Sequence, residues 1–502
     1  MKIYCEPEKL KAELSLKRFQ GLRVGLSHGV FDLVHPGHIQ HFIAAKKHVD
    51  ILIVSITADE FVNKGPGRPI FNEEIRLSTL AALEAVDYVT VSREKTAEGI
   101  ISILKPNIYF KGADYRDSAD DPTGKIESER IAVEQIGGTV KFTDEFTASS
   151  SKIINSVLNP FDTRTKNWIE GFKKQHSIEE IDHYLDEISK LDVSLMGELI
   201  IDQYTMVDAL GKTGKDPILA FQILETNLYA GGILAIANNC SSWTRSVSVY
   251  SMIGNEDKLP DEVSAFLNPK IKLHLTKAEG PTITKHRYID VGTKSKVFET
   301  YLFDPEKYRQ NSNGIFLNQI ENLIETDLVL VADYGHGLMS HQTIQKVAEL
   351  SRYLAVNVQT NAGNRGFNNI SRYPKLDFFT ANSRELQLEF RSKNIDFSQV
   401  LPELMNKLHA SRAVLTLGAD GVKVFGKQEI ETVPAFATKV IDKVGAGDSV
   451  FAISSLLAFR NCPSAIIGLV SNIVAAQEIA NLGHQTPLSL GDIKKQVRSL
   501  LR

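Results

Sequence analysis

Two short stretches of this chain carry residues whose types and spacing can act on phosphate. The first is GVFDLVHPGH, residues 29–38, where His35 and His38 stand three apart across Pro36 and Gly37. The apolar run LRVGLSHG precedes it and reads as a buried strand. In the IQHFIAAKKH that follows, Ile39, Phe42, Ile43 and Ala45 recur at helical period. Both histidines therefore sit where a strand passes into a helix. The unpaired N–H groups and the dipole of a helix start favour phosphate, and two imidazoles there can hold and polarise a polyphosphate. The plain alternative is a cap or a surface histidine. Zinc has little support, since no Glu follows in the HExxH manner. The second stretch is VIDKVGAGDSVFA, residues 440–452. Gly445, Ala446 and Gly447 let backbone N–H groups approach a phosphoryl group, and Asp448 opens an apolar helix where it can accept a hydroxyl proton. Its plain alternative is a tight turn with an Asp cap.

The elements that must hold these stretches form two successive α/β patterns. From about Leu22 to Leu158 the runs LRVGLSHG, DILIVSIT, AVDYVTVS, PNIYFKG and GGTVKFT alternate with helical segments. That alternation predicts a parallel, doubly wound sheet with ligands at the strand C-terminal ends. Residues of chemical interest cluster there. The Gly/Pro loop ADEFVNKGPGRPI carries Lys64 and Arg68, PNIYF runs into KGADY, and TASSSKII places serines before an apolar helical run. A polar, helix-prone stretch follows and reads as a connector. A second α/β region begins at LDVSLMGELIID and runs through TDLVLVADYGHG, YLAVNVQTN, LDFFTANSRE and RAVLTLGADGVKVFG. The expected division is a first α/β domain at 1–160, a helical linker at 161–190 and a second α/β domain at 191–502.

Composition narrows the class. A chain of 502 residues suggests two or three domains, and 43% hydrophobic with 24% charged residues is ordinary for a globular protein. The balance of 57 Lys and Arg against 61 Asp and Glu argues against nucleic acid as the main partner. Cys5, Cys240 and Cys462 lie far apart without a CxxC pair, which fits a reducing compartment. The charged start has no h-region, and no apolar run approaches the roughly 20 residues of a membrane helix. The expectation is a cytoplasmic protein without a membrane segment.

GVFDLVHPGH resembles the signature of the HxGH nucleotidyltransferases, and GRPI, EIRLSTLAALEAVDYV, KGADY and SSSKII follow in the order of that family's sugar-phosphate branch. They are most similar to the adenylyltransferase part of the heptose kinase/adenylyltransferase enzymes, over nearly all of residues 22–158. The resemblance implies that His35 and His38 stabilise charge on the α-phosphate, with Lys64 reaching the triphosphate from its loop. It implies nucleotide binding by Gly29, Phe31, Asp32, Lys111, Asp114, Ser149, Ser150 and Lys152. SSSK departs from the family's STT pattern.

In the second half, MGELIIDQY, AGGILAIANN, PTITKHRYI, DYGHG, TANSRE, VLTLGADGVKVF and the GAGD stretch together resemble the ribokinase-like carbohydrate kinases, over about Asp192 to Gly483. By that resemblance Asp448 is the base and Gly445, Ala446 and Gly447 the anion hole. Asn382 and Glu385 would place Mg²⁺ and the nucleotide phosphates, and Thr416, Gly418 and Gly421 would border ATP. Asp202, Gly231, Gly232 and Asn238 would contact the sugar. Lys285 and Arg287, at i and i+2 on one strand face, would bind a phosphate already on it. Three departures touch this neighbourhood: His336 in place of Lys, Asn357-Val358-Gln359 in place of Asp-Pro-Lys, and Lys443 before the glycines. They point to an altered substrate or a weakened kinase. The domain order is also reversed relative to the heptose enzymes.

The resulting expectation is a bifunctional enzyme with an N-terminal Rossmann-like domain and a C-terminal ribokinase-like domain. ATP with Mg²⁺ would phosphorylate a sugar or sugar phosphate, and CTP or ATP would then supply an NMP to a sugar phosphate, for a heptose-like activated sugar of surface polysaccharide. A homo-oligomer is implied by resemblance. The rivals are a monofunctional nucleotidyltransferase with a sugar-binding second domain, and a non-enzymatic regulatory protein.

Overall fold

The computed structural model describes residues 2–62, 64, 68–112, 125–143, 161–255, 257–321, 326–364, 366–427, 429–438, 440–480 and 488–501. The chain divides into two compact units, Met1–Asp162 with Gly491–Arg502, and Thr163–Leu490.

In the first unit the strands are β1 (Ile3–Tyr4), β2 (Val24–Gly29), β3 (Ile51–Thr57), β4 (Tyr88–Ser92), β5 (Ile108–Gly112) and β6 (Thr139–Thr143). They form one parallel sheet in the order β1-β4-β3-β2-β5-β6. Five of these are the runs expected from sequence; β1 is too short to show a period. Side chains of β3 alternate between two cores, as strand geometry requires. Leu52, Val54 and Ile56 join Phe42, Leu77 and Leu80, while Ile51 and Ile53 join Leu10, Leu14, Ile101 and Leu104. Helices thus cover both faces. The strand order reverses between β2 and β5, and a crevice opens beyond the C-terminal ends of such a pair. GVFDLVHPGH leaves β2, and β5 ends at Lys111-Gly112, so both strand ends border this crevice.

The second unit opens with helices Thr163–Gln175 and Ile178–Ile188, over the stretch expected to be a helical linker. Trp168 donates its indole N–H to Glu431 at 2.9 Å, which seats the first of them on this unit. A nine-stranded sheet follows, built from β7 (Asp192–Gly197), β10 (Ser246–Gly254), β11 (Ile271–Ala278), β14 (Leu328–Asp333), β15 (Leu354–Val358), β16 (Phe378–Asn382), β17 (Arg412–Thr416), β18 (Val422–Phe425) and β19 (Ile430–Val433). It is parallel except where β17, β18 and β19 pair antiparallel.

A four-stranded sheet, ordered β13-β12-β8-β9, comes from β8 (Leu199–Lys212), β9 (Leu219–Gly232), β12 (Ile283–Asp290) and β13 (Ser295–Leu302). Of its strands, only the one bearing Lys285 and Arg287 is expected from sequence. LDVSLMGELIID holds parts of two strands: the chain breaks at Glu198 and passes from the large sheet to the small one. Among the described residues no helix is long and apolar enough to cross a membrane.

Candidate functional site

At the end of β2, His35 caps the helix Pro36–Lys46. Its Nδ1 accepts the Gly37 N–H at 3.1 Å. An accepting Nδ1 leaves the ring proton of the neutral imidazole on Nε2. That Nε2 is buried and has no hydrogen-bond partner among the described residues. A buried donor of this kind awaits an acceptor, and a phosphate oxygen at a helix start is a suitable one. His38 stacks on His35 with ring centroids 3.9 Å apart. Phe31, held at φ 47°, packs its edge on His38, and a Cβ on Gly29 would crowd that ring. Burial, then His35, His41 and Lys64, lowers His38 to about 3. Lys64 therefore lies close enough to His38 to oppose its protonation. Both histidines are neutral near pH 7, as hydrogen-bonding groups for phosphate rather than fixed cations.

Other expected contacts have different partners. Asp32 is 3% exposed. It pairs with Arg68 at 2.7 Å and accepts the N–H groups of Ile70 and Phe71, so it anchors the loop after β3. Lys111 pairs with Glu129 at 2.7 Å beside the Tyr109 ring. Asp114, Ser149, Ser150 and Lys152 lie outside the described residues.

The sequence did not single out Arg76, His28 or His41. Arg76, 1% exposed, donates to the carbonyls of Val30, Thr57 and Phe71 and pairs with Asp59, tying together the loops that border the crevice. His28 meets Ser55 and Thr57, and His41 bridges Ser27 and Thr143. Burial foremost, and Lys111 next, lower His28 to about 3 and His41 to about 4.

A stability prediction follows from these shifts. Unfolding returns each ring to its ordinary value near 6.5, so below that pH the unfolded chain binds more protons than the folded one. Melting temperature should therefore fall as pH drops from about 6.5 to about 4, each histidine weakening the fold by on the order of 1 kcal/mol per pH unit. Replacing His28 by Gln should flatten the slope in differential scanning calorimetry; an unchanged slope contradicts the assignment.

In the second unit, Gly445 at φ 86° turns the chain into the helix Ala446–Phe459 and puts Asp448, 8% exposed, in its first turn. Oδ1 of Asp448 accepts the Gln359 side-chain N–H at 2.5 Å and the Tyr334 hydroxyl at 3.2 Å. Asn382 caps the helix Ser383–Glu389 in a reciprocal box with Glu385. Burial raises Glu385 to about 7, and a divalent cation nearby would favour its charged form. With Asn382 and Glu385 engaged on each other's backbone, they suit a magnesium ion that keeps its waters better than direct ligation. Among the described residues no group of three or more His, Cys, Asp or Glu is arranged to hold a metal.

Gly418 lies in open space, whereas a Cβ on Gly421 would strike the Val433 carbonyl, so Gly421 is a packing requirement. Thr416 ends β17 beside them.

On the small sheet, Asp202 and Arg287 form a buried ion pair, with Glu299 3.4 Å from Arg287. A Cβ on Gly231 would collide with Asp202, and Gly232 starts the helix Ile233–Trp243 at φ 56°. The charge of Arg287 is thus already paired within the sheet. Lys285 lies 5.8 Å and 5.5 Å over the Tyr301 and Tyr334 rings with its pKa lowered by burial. Asp202→Ala should destabilise the fold by about 3 kcal/mol, the penalty of a buried charge losing its main partner. Urea titration measures it, and Asp202→Ala with Arg287→Met should recover most of the loss.

Asn238 binds the Phe266 carbonyl and the Asn268 N–H, a structural duty. Its neighbour Asn239 reaches Ser449 at 3.0 Å and so supports the turn bearing Asp448. His336 donates its backbone N–H to Glu198, with its ring against Phe303.

Each unit thus has the form of a phosphate-handling α/β domain, with its chemistry-bearing side chains at the start of a helix. Residues 190–460 match the family described as pfkB family carbohydrate kinase. The chain belongs to that family. Residues 26–156 match the cytidylyltransferase-like family, so a nucleotidyltransferase domain precedes the carbohydrate kinase domain.

The bifunctional protein HldE of Bradyrhizobium diazoefficiens is 41% identical over 145 residues, 28% of this chain and 28% of that protein. That of Nitrobacter winogradskyi is 45% identical over 108 residues, 21% and 22% of the two chains. The chain spans about a quarter of the length of these curated relatives. Among solved structures, ribokinase from Thermotoga maritima aligns with a TM-score of 0.47 at 18% identity, over 61% of this chain and 99% of that one. Phosphofructokinase-2 from Escherichia coli aligns at 0.49 and 14%, over 62% and 100%.

Proposed function

We propose that the chain is a bifunctional enzyme that phosphorylates a sugar or sugar phosphate in its second unit and transfers an NMP to a sugar phosphate in its first. The observation that carries this reading is one helix start per unit, each furnished for phosphate: His35 with its partnerless Nε2–H donor, and Asp448 behind Gly445.

In the kinase step Asp448 takes the proton of the acceptor hydroxyl as its oxygen attacks the γ-phosphorus of ATP. The bond to the β-phosphate oxygen breaks, ADP leaves, and the N–H groups of Gly445–Gly447 face the transferred phosphoryl. Asn382 and Glu385 would help hold Mg²⁺, which would supply charge neutralisation on the ATP phosphates. Lys285 meets anionic charge on the substrate side.

In the transfer step an oxygen of the sugar phosphate attacks the α-phosphorus of CTP or ATP, and pyrophosphate departs. Proximity and charge stabilisation carry such a step. The imidazoles of His35 and His38 donate to the α-phosphate oxygens, and Lys64 attends the leaving pyrophosphate. The motif resemblance favours a heptose-like sugar destined for surface polysaccharide, a cytoplasmic setting and self-association.

Two assays on the full chain test the proposal. ADP release is followed with Mg-ATP and a panel of sugars and sugar phosphates, and pyrophosphate release with CTP or ATP and the phosphorylated products. Pyrophosphate release without any sugar-dependent ADP leaves a monofunctional nucleotidyltransferase. Release of neither removes both activities.

A further inference from the structure

The stretch TNAGNRGFNN, residues 360–369, is rich in asparagine, and the function above gives it no role. In the folded chain Asn361 and Asn364 both donate to the Tyr334 carbonyl, at 2.6 and 2.8 Å. Asn364 and Asn368 also donate to the Gln359 carbonyl, at 3.1 and 3.4 Å. Asn364 is 7% and Asn368 5% exposed, so these amides are buried with their hydrogen bonds made to backbone. Glycine at position 335, φ 71°, is what lets Asn364 approach, since a Cβ there would collide with its Nδ2. The loop therefore fixes two backbone positions, 334 and 359. The side chains at those two positions are the ones that donate to Oδ1 of Asp448.

We propose that Gln359, with Tyr334, is a positioning pair that orients the Asp448 carboxylate for proton transfer, and that the asparagine loop is the clamp that holds the pair. This rests on the kinase reading of Asp448. Two donors on one oxygen set the rotation of the carboxylate about its χ2, and proton acceptance falls to Oδ2. An amide is suited to this because it donates without adding charge and does not titrate. A lysine at 359 would compete for the carboxylate as an ion pair. The other groups facing Asp448 are Lys285 from β12 and Glu385 from the helix after β16, which act on it through charge. Tyr334 is held protonated by burial, its pKa raised well above the ordinary value.

The test is Gln359→Leu, similar in size and without the donor, beside Asp448→Asn, both in the full chain. Gln359→Leu should lower kcat for sugar-dependent ADP release roughly tenfold to a hundredfold, the scale of a misplaced catalytic group. KM for ATP should be unchanged. The acid limb of the rate profile should move to higher pH, because the charged carboxylate has lost a hydrogen bond. Gln359→Glu, which keeps the shape and adds a like charge, should move it further. A merely structural role would lower the melting temperature and leave the acid limb in place, and that outcome overturns the proposal. If Asp448→Asn retains full kinase turnover, the kinase reading itself falls. A measurement independent of turnover is the ¹³C titration of labelled aspartate, with the Asp448 signal identified by its loss in Asp448→Asn. A midpoint higher in Gln359→Leu supports the positioning pair, and equal midpoints overturn it.

Discussion

Asp448→Asn lowers sugar-dependent ADP release by about 10² to 10⁴-fold, the usual contribution of a general base, while pyrophosphate release continues at its original rate. The substitution is nearly isosteric and removes only basicity. Asp448 is 8% exposed at the first turn of the helix Ala446–Phe459, so its replacement also tests whether the turn tolerates a neutral side chain there. The amide oxygen of Asn can still accept from Tyr334 and Gln359, which holds the fold of the site constant. Retention of the ATP-dependent thermal shift, with turnover lost, would separate chemistry from binding. A variant within threefold of the parent rate would mean that another group takes the proton, and Asp448 would then be only an acidic residue in the first turn of its helix.

The second large effect is expected at the histidine pair. His35→Ala and His38→Ala should each reduce pyrophosphate release by about 10² to 10³-fold, as removal of a donor to a developing charge does elsewhere, with sugar-dependent ADP release kept. The two variants should differ in stability. His35 caps its helix through Nδ1 and Gly37, so its loss should cost about 1 kcal/mol more. His38 makes no such cap and should leave the melting temperature nearer the parent value. The pH dependence has a stated sign as well. His38 is depressed to about 3 by burial first and then by His35, His41 and Lys64, so it stays neutral from pH 5 to 8. Transfer should show no acid limb near pH 6.5 from this residue. Such a limb, abolished in His38→Ala, would show that the imidazolium is the working form. Equal rates in parent and both variants would return the pair to the plain role of cap and surface residue.

How much of this was legible beforehand depends on how local each feature is. The strands of the first sheet, the helix starts at His35 and Asp448, and the order of the two α/β regions could be read from runs of a few residues. Strand period, an N-cap followed by Pro-Gly, and a Gly-Ala-Gly turn are local matters of backbone geometry. The small sheet was missed because β8 continues β7 without a breaker; only the change of partner at Glu198 separates them.

Side-chain duties divided in the same way. A buried polar group must find a partner, and that partner comes from wherever the fold brings the chain. Asp32 met Arg68, Arg287 met Asp202, and Asn238 met the turn at Phe266–Asn268, none of these partners a near neighbour in sequence. By the same logic Arg76, Asn239, Tyr334 and Gln359 gained roles that no neighbouring residue announced. The residue pattern alone was enough to point to two helix starts as the places where phosphate chemistry would be done. Which side chains aim and support that chemistry was decided only in three dimensions, because hydrogen bonds between residues 89 and 210 positions apart depend on packing that no local pattern encodes.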